Sequence, residues 1–131
     1  MHTPSPSTST APAPAPAPAV RYRFDELEKD VPMALLERRR VMGEQAMISH
    51  VTLFKGCVVP VHQHPNEQFC AILRGKLRFT FGPGGPPAVD VGPGEVLHLP
   101  SNCPHGAEAM EETVVLDIFS PPCAMTGIDR R

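Results

Sequence analysis

Three histidines and one glutamine are the residues whose types and spacing best suit metal binding. His62 and His64 are separated by one residue, so on a strand both imidazoles would lie on the same face. Gln68 follows a bend at Pro65-Asn66, after which the next strand can return its side chain to the same cavity. His105 arrives from a distant segment. The pattern therefore indicates a candidate metal site.

A site of this composition would have a definite chemistry. Three neutral imidazoles and one amide would leave the charge of a divalent ion uncompensated, so the site would favour an anionic small-molecule substrate. The ion would act as a Lewis acid, with open positions for that substrate. Such ligands suit nickel, zinc or manganese, and iron is a further candidate. We therefore expect one divalent transition metal as the cofactor.

The composition indicates one folded domain that follows an extended tail. Of the 131 residues, the first 20 lack Lys, Arg, Asp and Glu and are rich in alternating Ala and Pro. Residues 1–20 are therefore predicted to be a disordered tail and residues 21–131 a single domain. The net charge is −2, and strand alternation would divide the basic run Arg38-Arg39-Arg40 between two faces, as a solvated surface. We expect no nucleic-acid partner.

The elements that must position the candidate ligands are short strands. Glycine and proline separate short runs of β-forming residues, which is typical of an all-β sandwich or barrel. Strands are predicted over residues 34–41, 46–54, 58–64, 68–74, 76–81, 88–91, 96–99, 106–110 and 113–119. A short helix is predicted over residues 24–30 and a hairpin turn over residues 74–76. So many short strands in roughly one hundred residues fit a jelly roll.

Two motifs of the sequence resemble those of the cupins. The first motif has a glycine, a His-x-His pair, an acidic position and a second glycine, and it matches Gly56, His62, His64, Gln68 and Gly75. The second matches Gly94, Pro100 and His105, with Asn102 in place of a glycine and Ala109 in place of an asparagine. The resemblance implies a cupin-type double-stranded β-helix, a jelly-roll barrel. It also implies that the metal ligands are His62, His64, Gln68 and His105.

Glu67 is the alternative to Gln68 as the fourth ligand. Only one of two adjacent strand residues can face the barrel interior. The motif spacing favours Gln68, and Glu67 would then face solvent or a partner subunit. His98 is a weaker candidate ligand, because it would lie either inside the barrel or on its exterior. Cys70, two residues after Gln68, would line the same cavity or fill the core.

The C-terminal part narrows the resemblance. The His-x-His-Pro-x-Glu-Gln pattern and the Asp-x-Phe-Ser-Pro segment at Asp117 look like those of single-domain cupins of pectin and alginate degradation, which convert 4,5-unsaturated monouronates into linear ketones. The resemblance implies that Asp117 moves protons during ring opening and tautomerisation. Alternation puts Val115, Asp117 and Phe119 on one face, so Phe119 would contact the substrate. A surface or salt-bridged Asp117 is the simpler alternative.

One departure from that group concerns an arginine. In those cupins an arginine commonly follows Ser-Pro-Pro and meets the substrate carboxylate, whereas this sequence has Cys123 there. Arg78 is the predicted substitute and therefore a candidate substrate-binding residue, although an exposed charge on a strand is the simpler interpretation. Arg130, near the end of the chain, is the other arginine that would serve.

Two other functions remain open at this point. One is a non-catalytic cupin that senses or binds a small ligand, and the other is a metal-dependent dioxygenase that uses iron. The N-terminus lacks the features of a signal peptide and no stretch is apolar enough to span a bilayer, so we expect a cytoplasmic protein without a membrane partner. Four scattered cysteines are expected to be reduced. Unpaired edge strands predict a homodimer.

Overall fold

Alternating apolar residues form ten strands in the computed structural model, which describes residues 14–129. A single turn of 3-10 helix over Phe24–Glu26 precedes them. The strands are β1 Asp30–Met33, β2 Leu36–Met42, β3 Met47–Leu53, β4 Val58–His62, β5 Glu67–Arg74, β6 Leu77–Thr80, β7 Val89–Val91, β8 Val96–Leu99, β9 His105–Ala109 and β10 Thr113–Ser120.

These strands form two antiparallel sheets that face each other. The six-stranded sheet has the order β1-β2-β3-β10-β5-β8, and the four-stranded sheet has the order β4-β9-β6-β7. Neighbours in each sheet come from distant parts of the chain, as in β10 between β3 and β5. This is the all-β jelly-roll barrel that the sequence predicts.

The core lies between the sheets because inward-facing residues alternate with outward-facing ones. Along β3, Met47, Ser49, Val51 and Leu53 are buried, and the residues between them are half-buried. The apolar side chains that meet them from the other strands include Cys70, Ile72, Leu77, Phe79, Leu99 and Val115. Removal of this apolar surface from water is the main stabilising contribution to the barrel.

The predicted helix over residues 24–30 is wrong. Only Phe24–Glu26 is helical, and none of its residues is buried. So short a helix has no apolar face to pack and too few hydrogen bonds to offset its nucleation. The chain instead enters β1 at Asp30, which pairs with Arg38 of β2. Strand β1 was not predicted from the sequence; it contains Pro32 and lies at the edge of its sheet.

The strand that carries the histidine pair also ends early. The prediction extended it to His64, but β4 ends at His62, and its register with β9 shifts between Val59 and His62. His64 therefore lies in the loop between β4 and β5, although it is buried. Its inward position depends on the loop rather than on strand alternation.

The basic run was predicted to be solvated, and for Arg38 this is wrong. Arg38 is 2% exposed and lies on the inner face of β2, like Leu36. Alternation does divide the run, because Arg38 is inside the barrel and Arg39 lies on the other face. A buried guanidinium requires partners, and Arg38 has two carboxylates, Asp30 and Asp129.

Two other expectations are not decided by the structure. Residues 14–20 are exposed and have no regular secondary structure, and residues 1–13 of the predicted tail lie outside the described part. The homodimer stays a prediction. A surface for it exists on the outer face of the six-stranded sheet, where the exposed apolar side chains are Phe69, Leu73, Val96 and Ile118. No helix within residues 14–129 is long and apolar enough to cross a bilayer.

Gly75 lies in a tight turn that is packed against Thr113 of β10. The turn at residues 74–76 was predicted to join a hairpin, but β5 and β6 belong to different sheets, so the turn carries the chain from one sheet to the other. Gly75 has φ +91°, and a Cβ atom there would overlap the backbone and side chain of Thr113. Only glycine fits such a turn without strain.

We predict that Gly75→Ala lowers the free energy of unfolding by about 3 kcal/mol, because left-handed strain adds to an overlap with a buried strand. The matched control is Gly56→Ala, where φ is +87° but nothing lies within 4 Å of the added Cβ. That variant should lose only about 1 kcal/mol, from backbone strain alone. Urea denaturation measures both, and equal losses would contradict the role given to the contact with Thr113.

Candidate metal centre

Three histidines converge at one end of the barrel. His62 is the last residue of β4 and His105 the first of β9, and the two are cross-strand partners with ring centroids 4.4 Å apart. His64 joins them from the following loop, with its ring 5.1 Å from that of His105. One nitrogen of each of the three side chains lies within 4.8 Å of the others. This separation suits ligands of a single ion.

Backbone carbonyl groups hold all three imidazoles in the same tautomer. Each Nδ1 donates to a carbonyl two residues away, at 2.9 Å for His62, 3.0 Å for His64 and 2.8 Å for His105. The Nδ1–H groups are therefore used, and each Nε2 keeps its lone pair for another partner. A carbonyl that orients a histidine in this way is the usual support behind a metal-binding imidazole.

Gln68 brings a fourth lone pair to the same point. Its side chain is buried, and its Oε1 lies 3.1 Å from His64 Nε2. Its Nε2 donates to Asp117 Oδ1 at 3.0 Å, which orients the amide so that the oxygen faces the histidine. Because His64 is protonated on Nδ1, its Nε2 is an acceptor, and it faces a second acceptor, Oε1 of Gln68. Such a contact is unfavourable unless a cation lies between them, so the donor set fits a metal ion.

Glu67, the alternative ligand, faces the opposite side of β5. Its carboxylate is about half exposed and lies 2.7 Å from His98 Nε2. The His98 ring stacks on Phe69, with centroids 4.5 Å apart. Strand alternation therefore separates the two adjacent residues as expected, with Gln68 inside and Glu67 outside. His98 likewise lies on the outer surface, away from the converging histidines.

Burial favours the neutral form of His62 and His105. Burial, together with the neighbouring imidazoles, lowers the pKa of His105 to about 4, although its bond to the Cys103 carbonyl opposes the change. Burial also lowers the pKa of His62 below its ordinary value. Neutral imidazole is the form that binds a metal, so the protein environment favours the competent state before any ion arrives.

Asp117 lies deep in the barrel beside this cluster. Its cross-strand partners are Cys70 on β5 and Ser49 on β3. Burial raises the pKa of Asp117, and hydrogen bonds from Cys70 and Gln68 partly oppose this. Burial also raises the pKa of the Cys70 thiol well above its ordinary value, so it stays protonated and donates. A solvated or salt-bridged Asp117, the simpler alternative, does not describe this environment.

One cavity is lined by most of these groups. Its volume is about 60 Å³, and its lining includes His62, Gln68, His105, Asp117 and Phe119. The ring of Phe119 meets His64 edge-on at 5.6 Å and is 4% exposed, so it is both core and cavity wall. The cavity wall also includes Ser49, whose buried hydroxyl has no hydrogen-bond partner within residues 14–129. That hydroxyl is available to a ligand.

The arginine expected at the cavity is not Arg78. Arg78 points outward from β6 and forms a pair with Asp90, so its predicted contact with substrate is wrong. The outward position follows from alternation, because its neighbours Leu77 and Phe79 are the buried ones. Arg130 lies outside the described residues. Cys123 is half-buried, and its thiol contacts the Met125 carbonyl.

Arg38 is the cavity residue that the sequence analysis missed. It lines the same cavity as the histidines. The signal that would have found it is its position two residues after Leu36 on a strand, on the face that carries apolar residues into the core. The inward position was not predicted because Arg38 is followed by Arg39 and Arg40, and a basic run of this kind is typical of a solvated surface.

The fold and the site together define a jelly-roll barrel with a histidine cluster at its mouth. The sequence matches the family model of the cupin domain over residues 49–119. The chain belongs to the cupin family. No curated protein sequence matches it significantly.

Solved structures agree with this assignment. The chain is similar to KdgF from Halomonas sp., with 25% identity over 78% of this chain and 94% of that one and a TM-score of 0.71. An RmlC-like cupin from Shewanella frigidimarina is 20% identical over 81% and 95% of the two chains, also with a TM-score of 0.71. Oxalate decarboxylase from Bacillus subtilis, which has Mn(II) centres, is 22% identical over 81% of this chain and 29% of its own, at a TM-score of 0.68.

We predict that His105→Ala lowers bound metal from about one ion per chain to near zero, because two histidines and an amide hold an ion too weakly to retain it. Elemental analysis after dialysis measures the stoichiometry. The matched control is His98→Ala, which removes an exposed imidazole from the outer face and should retain the metal. Equal metal content in the two variants would contradict the assignment of the site.

We predict that the metal-free protein loses stability as the pH falls from about 7 to 4. As the pH falls through this range the unfolded chain binds protons at its histidines. In the folded chain His105 binds its proton only near pH 4 and the pKa of His62 is also lowered, so the folded chain binds fewer protons. The loss should be on the order of 2 kcal/mol, allowing for solvent screening. Urea denaturation across this range measures it. The slope should be smaller in His105→Ala, and a flat profile for the unaltered protein would contradict the burial effect.

Proposed function

We propose that this cupin is a metal-dependent isomerase that opens the ring of 4,5-unsaturated monouronates, or of a related sugar acid, and yields the linear ketone. The observation that carries the proposal is the half-buried Asp117 carboxylate, which lines the cavity and accepts a hydrogen bond from Gln68 beside three converging imidazoles. An acid/base and a candidate electrophilic centre therefore share one cavity. Ring opening followed by tautomerisation requires this combination.

We propose His62, His64, Gln68 and His105 as the residues that hold the metal. Their lone pairs converge, and the histidine tautomers are fixed by backbone carbonyl groups. Nickel, zinc and manganese suit these ligands, and iron remains a candidate. The bound ion would supply Lewis-acid polarisation of a substrate oxygen. The four neutral ligands leave its charge uncompensated, which favours an anionic substrate.

Asp117 is the proposed proton carrier. Ring opening breaks the bond between carbon 1 and the ring oxygen. The anomeric hydroxyl loses a proton and the ring oxygen gains one, which leaves an aldehyde at carbon 1 and an enol at carbon 5. Tautomerisation then adds a proton to carbon 4 while the enol oxygen loses one, so the reaction consumes no oxidant or reductant. Burial raises the pKa of Asp117, which favours a group that both accepts and returns a proton.

The surroundings of Asp117 support this role. Gln68 joins it to the metal ligands by one hydrogen bond of 3.0 Å. Phe119, two residues further along β10, presents an apolar wall to the cavity and would exclude water from the sugar ring. The similarity to KdgF covers nearly the whole of that chain and supports the choice of this cupin group over others.

A non-catalytic ligand-binding cupin is the second candidate. The observation in its favour is the small volume of the cavity, about 60 Å³. A sensor would retain metal and bind an anion without turnover. The dioxygenase alternative requires iron, so elemental analysis of the purified protein separates it from the isomerase.

We predict that Asp117→Asn lowers kcat on an unsaturated monouronate at least about 100-fold, because loss of a positioned acid/base removes proton transfer from the transition state. The assay follows the loss of absorbance of the unsaturated ring form in metal-loaded protein. Metal content should not change, since the amide can still bond to Gln68.

The control for this experiment is Asp90→Asn, which removes an exposed carboxylate paired with Arg78 and should leave kcat unchanged. Turnover by Asp117→Asn at the level of the unaltered protein would contradict the role of Asp117. Absence of turnover in the unaltered, metal-loaded protein would contradict the isomerase and favour the binding function.

A further inference from the structure

The cavity contains a buried arginine that the proposed chemistry does not yet use. Arg38 lines the cavity together with the histidines and Asp117. Its guanidinium lies between two carboxylates: it bonds to Asp30 at 2.6 and 3.1 Å and to Asp129 at 2.6 and 3.4 Å. Both carboxylates are bound by two nitrogens, which is the geometry in which arginine recognises carboxylates.

One of these carboxylates comes from a segment that covers the cavity. We call residues 123–129 the C-terminal segment. Thr126 and Ile128 form part of the cavity lining. Gly127 lies so close to His62 that a Cβ atom would overlap the imidazole ring. The segment therefore lies against the candidate metal ligand as well as against Arg38.

The segment leaves too little room for a sugar acid. The cavity of about 60 Å³ has space for roughly four or five water molecules. A six-carbon uronate has about a dozen non-hydrogen atoms and requires a larger site. Because the other walls are strands of the two sheets, the C-terminal segment is the part of the lining that can give way. Its regular structure is limited to bends, without strand pairing.

We propose that Arg38 is the residue that binds the carboxylate of the substrate, and that Asp129 occupies the place of this carboxylate while the C-terminal segment is closed. This inference rests on the proposed function for the identity of the substrate as a uronate. On substrate entry, Asp129 leaves the guanidinium and the substrate carboxylate takes over its two hydrogen bonds. The exchange replaces one carboxylate by another and forms no covalent bond.

The charges around Arg38 make this exchange inexpensive. Asp30 is on β1 and pairs with Arg38 in register, so it stays when the segment leaves. Arg38 is then never buried without a partner, which would be costly. Arg40 lies 3.7 Å from Asp30 and donates to the Ala124 carbonyl at 2.6 Å, so it holds the start of the segment in either state.

A second polar group in the cavity is the hydroxyl of Ser49. Ser49 is 1% exposed, lines the cavity and has no hydrogen-bond partner for its hydroxyl in the described part of the chain. It lies on β3, next to the strand of Arg38 and opposite Asp117. A sugar hydroxyl would satisfy it. The cavity therefore offers a carboxylate site and a hydroxyl site to the same ligand, which is the pattern that a uronate requires.

The test compares binding of D-galacturonate and D-galactose to metal-loaded protein by calorimetry. The variant Asp129→Asn removes the competing carboxylate but keeps the amide oxygen for the Thr126 N–H. We expect it to lower the Kd for galacturonate about tenfold and to leave the Kd for galactose unchanged. Arg38→Lys keeps the charge but loses the paired donors, and should abolish the preference for galacturonate over galactose.

The matched control is Asp30→Asn, which removes the other carboxylate of the same guanidinium. It should not tighten galacturonate binding, because Asp30 does not occupy the ligand's place. Equal tightening by Asp30→Asn and Asp129→Asn, or no tightening by Asp129→Asn, would overturn the proposal. If Arg38→Lys does not fold, the comparison of Asp129→Asn with Asp30→Asn still tests whether Asp129 occupies the place of the substrate carboxylate.

Hydrogen exchange gives an independent reading in the unaltered protein. Galacturonate should speed exchange of the Thr126 amide, because this amide is bonded to Asp129. Unchanged or slower exchange at saturating galacturonate would contradict displacement of the segment. Calorimetry and hydrogen exchange both use binding of a saturated sugar acid. Their results therefore test this inference whether or not the protein turns over an unsaturated uronate. Turnover without these effects would overturn this inference alone.

Discussion

Convergent lone pairs at the mouth of the barrel are the constraint on which the rest of the site depends. Each imidazole is held by a backbone carbonyl, and the Gln68 amide is held by Asp117, so none of the four can turn its acceptor away. Acceptors buried against acceptors are unfavourable without a cation. Two strand pairs, β4 with β9 and β5 with β10, hold these acceptors close together.

The same hydrogen bonds join the candidate metal ligands to Asp117, the proposed acid/base. Gln68 contacts His64 with its oxygen and Asp117 with its nitrogen, so the orientation of one amide serves both groups. A change in the charge of Asp117 would act directly on a candidate ligand. The cross-strand pairs between β5 and β10 bring these groups together, since Asp117 lies opposite Cys70 and Phe119 lies opposite Gln68.

At Arg38, which also lines the cavity, the constraint is a buried charge. Arg38 cannot remain inside the barrel without carboxylates, and it has one from β1 and one from the C-terminal segment. This pairing draws the end of the described chain across the mouth of the barrel. The cavity thus has electron-pair donors at His62 and His105 and a buried cation at Arg38, and all three line the same small volume.

The sequence by itself determined the features that depend on local periodicity. Alternation predicted nine of the ten strands to within a few residues, the inward position of Asp117 and Phe119, and the choice between Gln68 and Glu67 as the inward residue. These strand features follow from a side-chain period of two, which is a property of neighbouring residues. The cluster of His62, His64 and His105 was predicted by the resemblance to the two cupin motifs, since His64 lies in a loop and His105 in a distant strand.

Only the tertiary structure decided the features that depend on distant partners. The burial of Arg38 requires Asp129, 91 residues away, and β1 exists because Asp30 pairs across a turn with that same arginine. His64 faces inward from a loop, and Arg78 is excluded from the cavity because its strand turns that face to solvent. No local pattern records such pairings. A buried charge is stabilised by whichever partner the fold brings to it, and folding alone determines that partner.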